Sequence, residues 1–238
     1  MTQKLIGRGV SVTYYGHAAF KLAAAGKTVL IDPWLSNPLL HTPVDQVGSV
    51  DLILVTHGHG DHVGDTVALA QATGAQVVAI HELSVLLAQQ GVSKVVGMNK
   101  GGTFKADGLE ITMTQAVHSS TLEDQGRLVP AGDPVGFVVR FPTGFVAYHA
   151  GDTAVFRDME LIRDLYRPEL AMLPIGSHYV MNPAEAALAC RLLRPKWVIP
   201  MHYGTFPVLT GTPAEFKEHL KGEPDIRVIV LKPGETVE

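Results

Sequence analysis

Short apolar runs bounded by turn residues dominate the first third of the chain and predict β-structure. Val10–Tyr14 reads as a strand, and Phe20–Ala24 with Thr28–Ile31 flank Gly26-Lys27, a hairpin turn, with Asp32-Pro33-Trp34 ending the second of these strands. Asp51–Thr56 (DLILVT) is a continuous apolar run between polar residues, the pattern of a strand buried on both faces. A helix is expected over 63–72, a strand at Gln76–Ile80, and a helix over 81–89 that Gly91 ends. Leu109–Val117, Val135–Phe141 and Phe145–His149 read as further strands.

The last third alternates more clearly. A helix over 155–165 leads to the strand Glu169–Ile175, a helix over 183–194 to the strand Trp197–Met201, and a helix over 213–220 to a final strand, Arg227–Leu231. Asn182-Pro183-Ala184-Glu185 and Thr212-Pro213-Ala214-Glu215 each supply an N-cap, a proline at the first helical position and an acid at the third. No linker, charge run or low-complexity tract interrupts the 238 residues, so the pattern predicts one α/β domain, two mixed sheets with helices outside.

Composition narrows the class. Hydrophobic residues make up 46 % and charged residues 18 %, which excludes a disordered chain. A formal charge of −4 gives no support to a nucleic-acid reader working through a basic face. The single cysteine, Cys190, lies in apolar surroundings (AALACRLL) and reads as a buried thiol. The N-terminal stretch lacks the apolar core of a secretory signal, and no run reaches the ~18 apolar residues of a spanning helix. A cytoplasmic protein without a membrane partner is the expectation.

Chemistry concentrates in residues 56–62, Thr-His-Gly-His-Gly-Asp-His, directly after a buried strand. Imidazole and carboxylate suit zinc and other first-row metals. His57 and His59, two apart, can turn toward one metal. Asp61 and His62 begin the next helix and can face a second. Gly58 and Gly60 are read as giving the backbone freedom for the bend. Four donors leave two metals under-coordinated, and three more candidates sit at or just after strand ends: His118, Asp152 and His202.

On these residues the sequence resembles the metallo-β-lactamase superfamily, whose signature Thr-His-x-His-x-Asp-His is followed by separated His, Asp and His ligands. Gly16-His17-Ala18, Ala116-Val117-His118-Ser119-Ser120, Tyr148-His149-Ala150-Gly151-Asp152-Thr153 and Met201-His202-Tyr203-Gly204-Thr205-Phe206 look like the bacterial and archaeal metal-dependent hydrolases related to the ascorbate-6-phosphate lactonases. The resemblance covers nearly the whole chain. It implies a four-layer αβ/βα sandwich with two divalent metal ions, zinc first and manganese or iron as alternatives. It implies His57, His59 and His118 on one metal, Asp61, His62 and His202 on the other, and Asp152 bridging.

The expected activity is hydrolysis by metal-activated water, with Asp61 orienting the nucleophile or ligating a metal. A lactone or carboxylic ester is the leading substrate, a small phosphodiester the runner-up, and a non-catalytic metal-binding module the third reading. His178, Tyr179 and Tyr203 are candidates for proton donor or substrate contact, and His17 for lining the pocket. His149 is read as a core histidine bonded to a ligand, and His41, His81 and His219 as structural or exposed. Trp34–Pro43 and Glu123–Pro134 are the expected pocket walls, rich in turn residues as lids are. The expected partner is a small molecule, with a homo-oligomer possible and no nucleic acid.

Overall fold

The computed structural model describes residues 6–238, so the first five residues of the N-terminal segment lie outside it. The first half of the chain supplies β1 (Val10–Gly16), β2 (Ala19–Ala24), β3 (Lys27–Ile31), a small hairpin of β4 (Ser36–Asn37) and β5 (Leu40–His41), and β6 (Leu52–Leu54). It continues with α1 (Gly60–Val63), α2 (Thr66–Thr73), β7 (Gln76–Ile80), α3 (His81–Gln89) and β8 (Val95–Met98). The middle is β-rich: β9 (Thr103–Ala106), β10 (Leu109–Gln115), the hairpin β11 (Thr121–Asp124) and β12 (Arg127–Pro130), β13 (Val135–Arg140) and β14 (Val146–His149). The last part alternates α4 (Met159–Tyr166), β15 (Leu170–Pro174), α5 (Pro183–Leu193), β16 (Trp197–Met201), α6 (Pro213–His219), β17 (Arg227–Val228) and β18 (Thr236–Val237).

Two seven-stranded sheets result, ordered β18-β1-β2-β3-β6-β7-β8 and β17-β16-β15-β14-β13-β10-β9. Each is half antiparallel meander and half parallel crossover. The parallel strands β6, β15 and β16 are buried at every position, as helices and the facing sheet together require. One core joins the inner faces of both sheets, with Ile31 and Leu54 clustered with Ile111, Phe137 and Ile199, and extends to Leu69 of α2 and Leu87 of α3. A second core packs Tyr148, Ala171 and Val198 against Met159, Ala186, Cys190 and Phe216 of α4–α6. The order is therefore helix, sheet, sheet, helix, the expected αβ/βα sandwich. Cys190 is fully buried there, and burial pushes its thiol well above its ordinary pKa, so it is chemically quiet. Among the described residues, no helix is long and apolar enough to cross a membrane.

Both proline-initiated helices carry a complete capping box, Asn182 with Glu185 and Thr212 with Glu215. Other expectations shift. The helix placed over 63–72 is two helices, because Gly64 leaves helical geometry (φ 44°, ψ −122°) after a single turn. The helix placed over 155–165 starts at Met159, and the last expected strand keeps only Arg227–Val228. The short strands β9, β11, β12 and β18 escape the sequence pattern because two to four residues with polar members make no apolar run, and β8 because its few apolar residues are broken by Gly97. Residues 121–130, inside or beside an expected lid, pair as the β11–β12 hairpin instead.

Strand direction places the chemistry. β1, β3 and β6 run parallel, as do β10, β14 and β16, so their C-terminal ends share one edge of the sandwich. The residue immediately after β1, β3 and β16 is in each case left-handed: His17 (φ 54°), Asp32 (φ 47°) and His202 (φ 56°). Each costs roughly 1–2 kcal/mol for a residue with a Cβ, and such strain collects where function fixes a side chain's direction.

The two glycines of the histidine loop differ from the sequence reading, since neither has a positive φ. Gly58 is needed for space: a Cβ there would sit 2.7 Å from the Ala131 Cβ and 2.9 Å from the Thr121 backbone. A Cβ at Gly60 meets nothing within 4 Å. Gly58→Ala is expected to cost about 1–3 kcal/mol by overpacking and lower the melting temperature of the metal-free protein by several degrees. Gly60→Ala should leave that temperature nearly unchanged. Equal shifts in thermal melts would contradict this division.

Candidate metal centre

The loop leaving β6 distributes its donors by geometry. His57 lies three residues past the end of β6, His59 is the N-cap of α1 (φ −65°, ψ 147°), and Asp61 and His62 fall within its single turn. From the second sheet, His118 follows β10, Asp152 follows β14 and His202 follows β16. Val117 N–H donates to Thr153 Oγ1 (2.9 Å) and Ala154 N–H to the Val117 carbonyl (3.1 Å), which brings His118 beside Asp152.

All seven expected ligands come together. His57, His59 and His118 form one group of donors, and Asp61, His62 and His202 fall in another that also includes His17. Asp152 stands between them: its Oδ2 is 3.5 Å from His118 Nε2, 3.3 Å from His62 Nε2 and 3.0 Å from His202 Nε2. His57 Nε2 and His59 Nδ1 face each other at 2.9 Å. Asp152 Oδ1 and His62 Nε2 are buried without a hydrogen-bond partner. Buried polar atoms are normally satisfied, so converging lone pairs of this kind fit a divalent cation, which supplies the missing partner to each.

Supporting bonds set the tautomers. The Asp32 carboxylate can only accept, so His62 Nδ1–H donates to its Oδ2 (2.8 Å) and leaves His62 Nε2 free. Thr56 donates its N–H to Asp32 Oδ1 (2.8 Å) and its hydroxyl to Oδ2 (2.7 Å). That hydroxyl oxygen then accepts from His57 Nδ1–H (3.0 Å), and His57 Nε2 is free as well. One buried acid thus orients a ligand in each group, the arrangement that tunes metal-binding imidazoles. Asp32 was read from the sequence only as the end of a strand. The signal available was an acid closing an apolar strand beside the one that delivers the histidines.

His17 does not line the cleft as expected. It is fully buried, its Nε2–H donates to Asp61 Oδ2 (3.0 Å), and its Nδ1 accepts from the Thr205 hydroxyl (2.8 Å). His149 bonds no ligand: its Nε2–H donates to the Ala18 carbonyl (2.9 Å) and its Nδ1 accepts from Gly151 N–H (3.1 Å), fixing the turn into Asp152. His41, His81 and His219 are exposed.

Burial is the largest influence on these groups. It pushes His57, His59 and His118 below the ordinary imidazole range, and with the nearby His202 it takes His17 down to about 4. His62 goes the other way, because Asp152 and Asp32 outweigh its burial. Burial also pushes Asp61 and Asp152 up. The His17 hydrogen bond overcomes this for Asp61, and His202 with His62 overcome it for Asp152, so both carboxyls stay well below their ordinary value.

The donors open into a cleft of about 470 Å³. Trp34, Ser119, Tyr179 and Phe206 line it with His59, Asp61, His118, Asp152 and His202. Tyr179, expected near substrate, is at the mouth. His178, expected as a catalytic group, is exposed and absent from the lining; its left-handed backbone (φ 54°) turns it away, and its ring meets Tyr179 edge-on at 4.4 Å. Tyr203, also expected at substrate, is half-buried against the second core. Of the expected walls, Trp34 alone contributes, and nothing from 123–134 does.

Fold and site together define a metal-binding α/β enzyme with its donors at the seam of two sheets. A family model described as the Beta-lactamase superfamily domain matches residues 27–203. A UPF0173 metal-dependent hydrolase of Rubrobacter xylanophilus is 49 % identical over 239 residues, covering 99 % of this chain and 98 % of that protein. One from Methanopyrus kandleri is 50 % identical over 229 residues, covering 95 % and 99 %. The structure of Igni18, a metallo hydrolase from Ignicoccus hospitalis, superposes with a TM-score of 0.87 at 43 % identity over 96 % of this chain and 97 % of that one. The chain belongs to the metallo-β-lactamase superfamily and is a metal-dependent hydrolase.

Asp32→Asn keeps the shape but puts an amide where two donors need an acceptor. Metal affinity should fall about 10–100-fold, measured by competition with a chromophoric chelator. In the wild type, Asp152 and Asp32 favour a proton on His62 that competes with the cation, so affinity falls as pH is lowered. His57, His59 and His118, which burial holds below the ordinary imidazole range, join the competition only at lower pH. An unchanged affinity in a folded Asp32→Asn protein would contradict the orienting role.

Proposed function

We propose that the seven side chains hold two divalent cations, zinc by preference, and that the site hydrolyses a lactone or carboxylic ester. The observation carrying this reading is the pairing of two donor groups across one shared carboxylate, Asp152. Five imidazoles and two carboxylates are a nitrogen and oxygen set suited to zinc, with manganese and iron as alternatives. A carbonyl substrate is favoured over a phosphodiester by the lactonase-like motifs and by a lining that contains no Lys or Arg.

Bound cations would supply a Lewis acid and a water acidic enough to react near neutral pH. The protein's part is positional. Asp61, ionised and partly open to the cleft, accepts a hydrogen bond from the attacking water and aims it. Neutral His17 holds that carboxylate in place while Thr205 holds His17. Ser119 and Tyr179 are the lining hydroxyls able to donate a proton to the leaving oxygen. The cleft volume suits a small molecule, and neither nucleic acid nor membrane is part of the proposal.

The test is a rate assay on zinc-loaded protein with a lactone panel beside an aryl phosphodiester, and Asp61→Ala as the blank. Lactone turnover reduced at least about 100-fold in Asp61→Ala is expected. Phosphodiester turnover alone would contradict the carbonyl reading, and silence on both with metal bound would favour a non-catalytic module.

A further inference from the structure

Resting on the lactone or ester reading, we propose that the cleft selects a substrate whose non-reacting part is flat, apolar and uncharged, held against Trp34 and Phe206. The two rings stack with centroids 5.9 Å apart and planes 24° from parallel, and both are only half-buried where they line the cleft. The buried His17 ring meets each of them edge-on, Trp34 at 5.2 Å and Phe206 at 5.7 Å. The same His17 holds Asp61, so the aromatic wall is fixed in register with the reacting centre.

The wall is also preorganised from behind. Trp34 N–H donates to the Asp32 carbonyl (2.8 Å) and Asn37 Nδ2 donates to the Trp34 carbonyl (2.7 Å). Gly64 lies so close beneath that a Cβ would overlap the Trp34 backbone. A tryptophan placed by the segment that also orients His62 loses little freedom on meeting a ligand, which favours binding. The only acidic or basic side chains in the lining besides histidine are Asp61 and Asp152. A phosphate or carboxylate on the substrate's far end would find no Lys or Arg side chain at the Trp34–Phe206 wall and would lose its hydration. A flat uncharged group finds an aromatic face instead.

The experiment compares three lactones on zinc-loaded protein: an aryl-fused six-membered lactone, the plain aliphatic ring, and a sugar lactone bearing a phosphate. Wild type should prefer the aryl-fused lactone over the aliphatic one by about tenfold in kcat/KM, mostly through KM, with the phosphorylated lactone poorest. That preference should collapse toward unity in Trp34→Ala and in Phe206→Leu, and persist in part in Trp34→Phe, which guards against misfolding of the alanine variant. Equal rates, a preference for the phosphorylated lactone, or a preference that neither variant changes would overturn the inference while leaving the hydrolase reading intact. Failure of every lactone would sink that reading instead, and binding then judges the wall separately. The aryl-fused lactam, uncharged and slow to hydrolyse, should quench tryptophan fluorescence saturably in metal-free wild type and not in Trp34→Phe, where Trp197 alone emits. No quenching would overturn the inference.

Discussion

The site depends on holding two sheet edges together. His57, His59, Asp61 and His62 come from the end of β6 in the first sheet, and His118, Asp152 and His202 from strand ends in the second. Neither sheet alone completes either donor group. The junction is made by direct bonds across the seam: Val135 N–H to the Thr56 carbonyl (3.0 Å), His202 N–H to the His17 carbonyl (2.8 Å), and His149 Nε2–H to the Ala18 carbonyl (2.9 Å). Each lies within a residue or two of a donor or of a group that orients one. A loosening of the sandwich at this edge therefore separates the donors before it exposes the core, and a cation shared by both sheets ties the same edge.

Electrostatics at the seam favour a cation over an empty cluster. Two carboxylates are held below their usual range beside imidazoles that burial pushes toward the neutral form, while Asp152 and Asp32 push His62 the other way. Taking charged groups out of water is expensive unless they are paired, and a divalent ion pairs several at once. Asp32 makes the arrangement specific. Through His62 directly and His57 by way of Thr56, it presents the correct nitrogen of one imidazole in each donor group. A residue with no direct access to substrate thus governs how both groups bind.

Much of this was legible in the sequence. The histidine motif and the strand-end positions of His118, Asp152 and His202 pointed to one cluster because parallel strands align their C-terminal ends. The capping boxes at Asn182 and Thr212 marked two helix starts to the residue. What escaped depended on contacts far apart in the chain. Asp32 meets His62 thirty residues on, and His17 meets Thr205 across 188 positions. Gly58 is a glycine because of Ala131 and Thr121, neighbours that no local pattern reveals. His178 and Tyr203 sit beside strand ends like the residues that cluster, but backbone handedness in one case and packing in the other send them elsewhere.

The most direct test of the two-cation centre is anomalous diffraction from crystals of zinc-loaded protein, recorded on both sides of the zinc edge. Two peaks are expected, one among His57, His59 and His118, the other among Asp61, His62 and His202, with the Asp152 carboxylate touching both at roughly 2.0–2.2 Å. A single peak at full zinc loading, or two peaks with Asp152 turned away from one of them, would contradict the shared-carboxylate account.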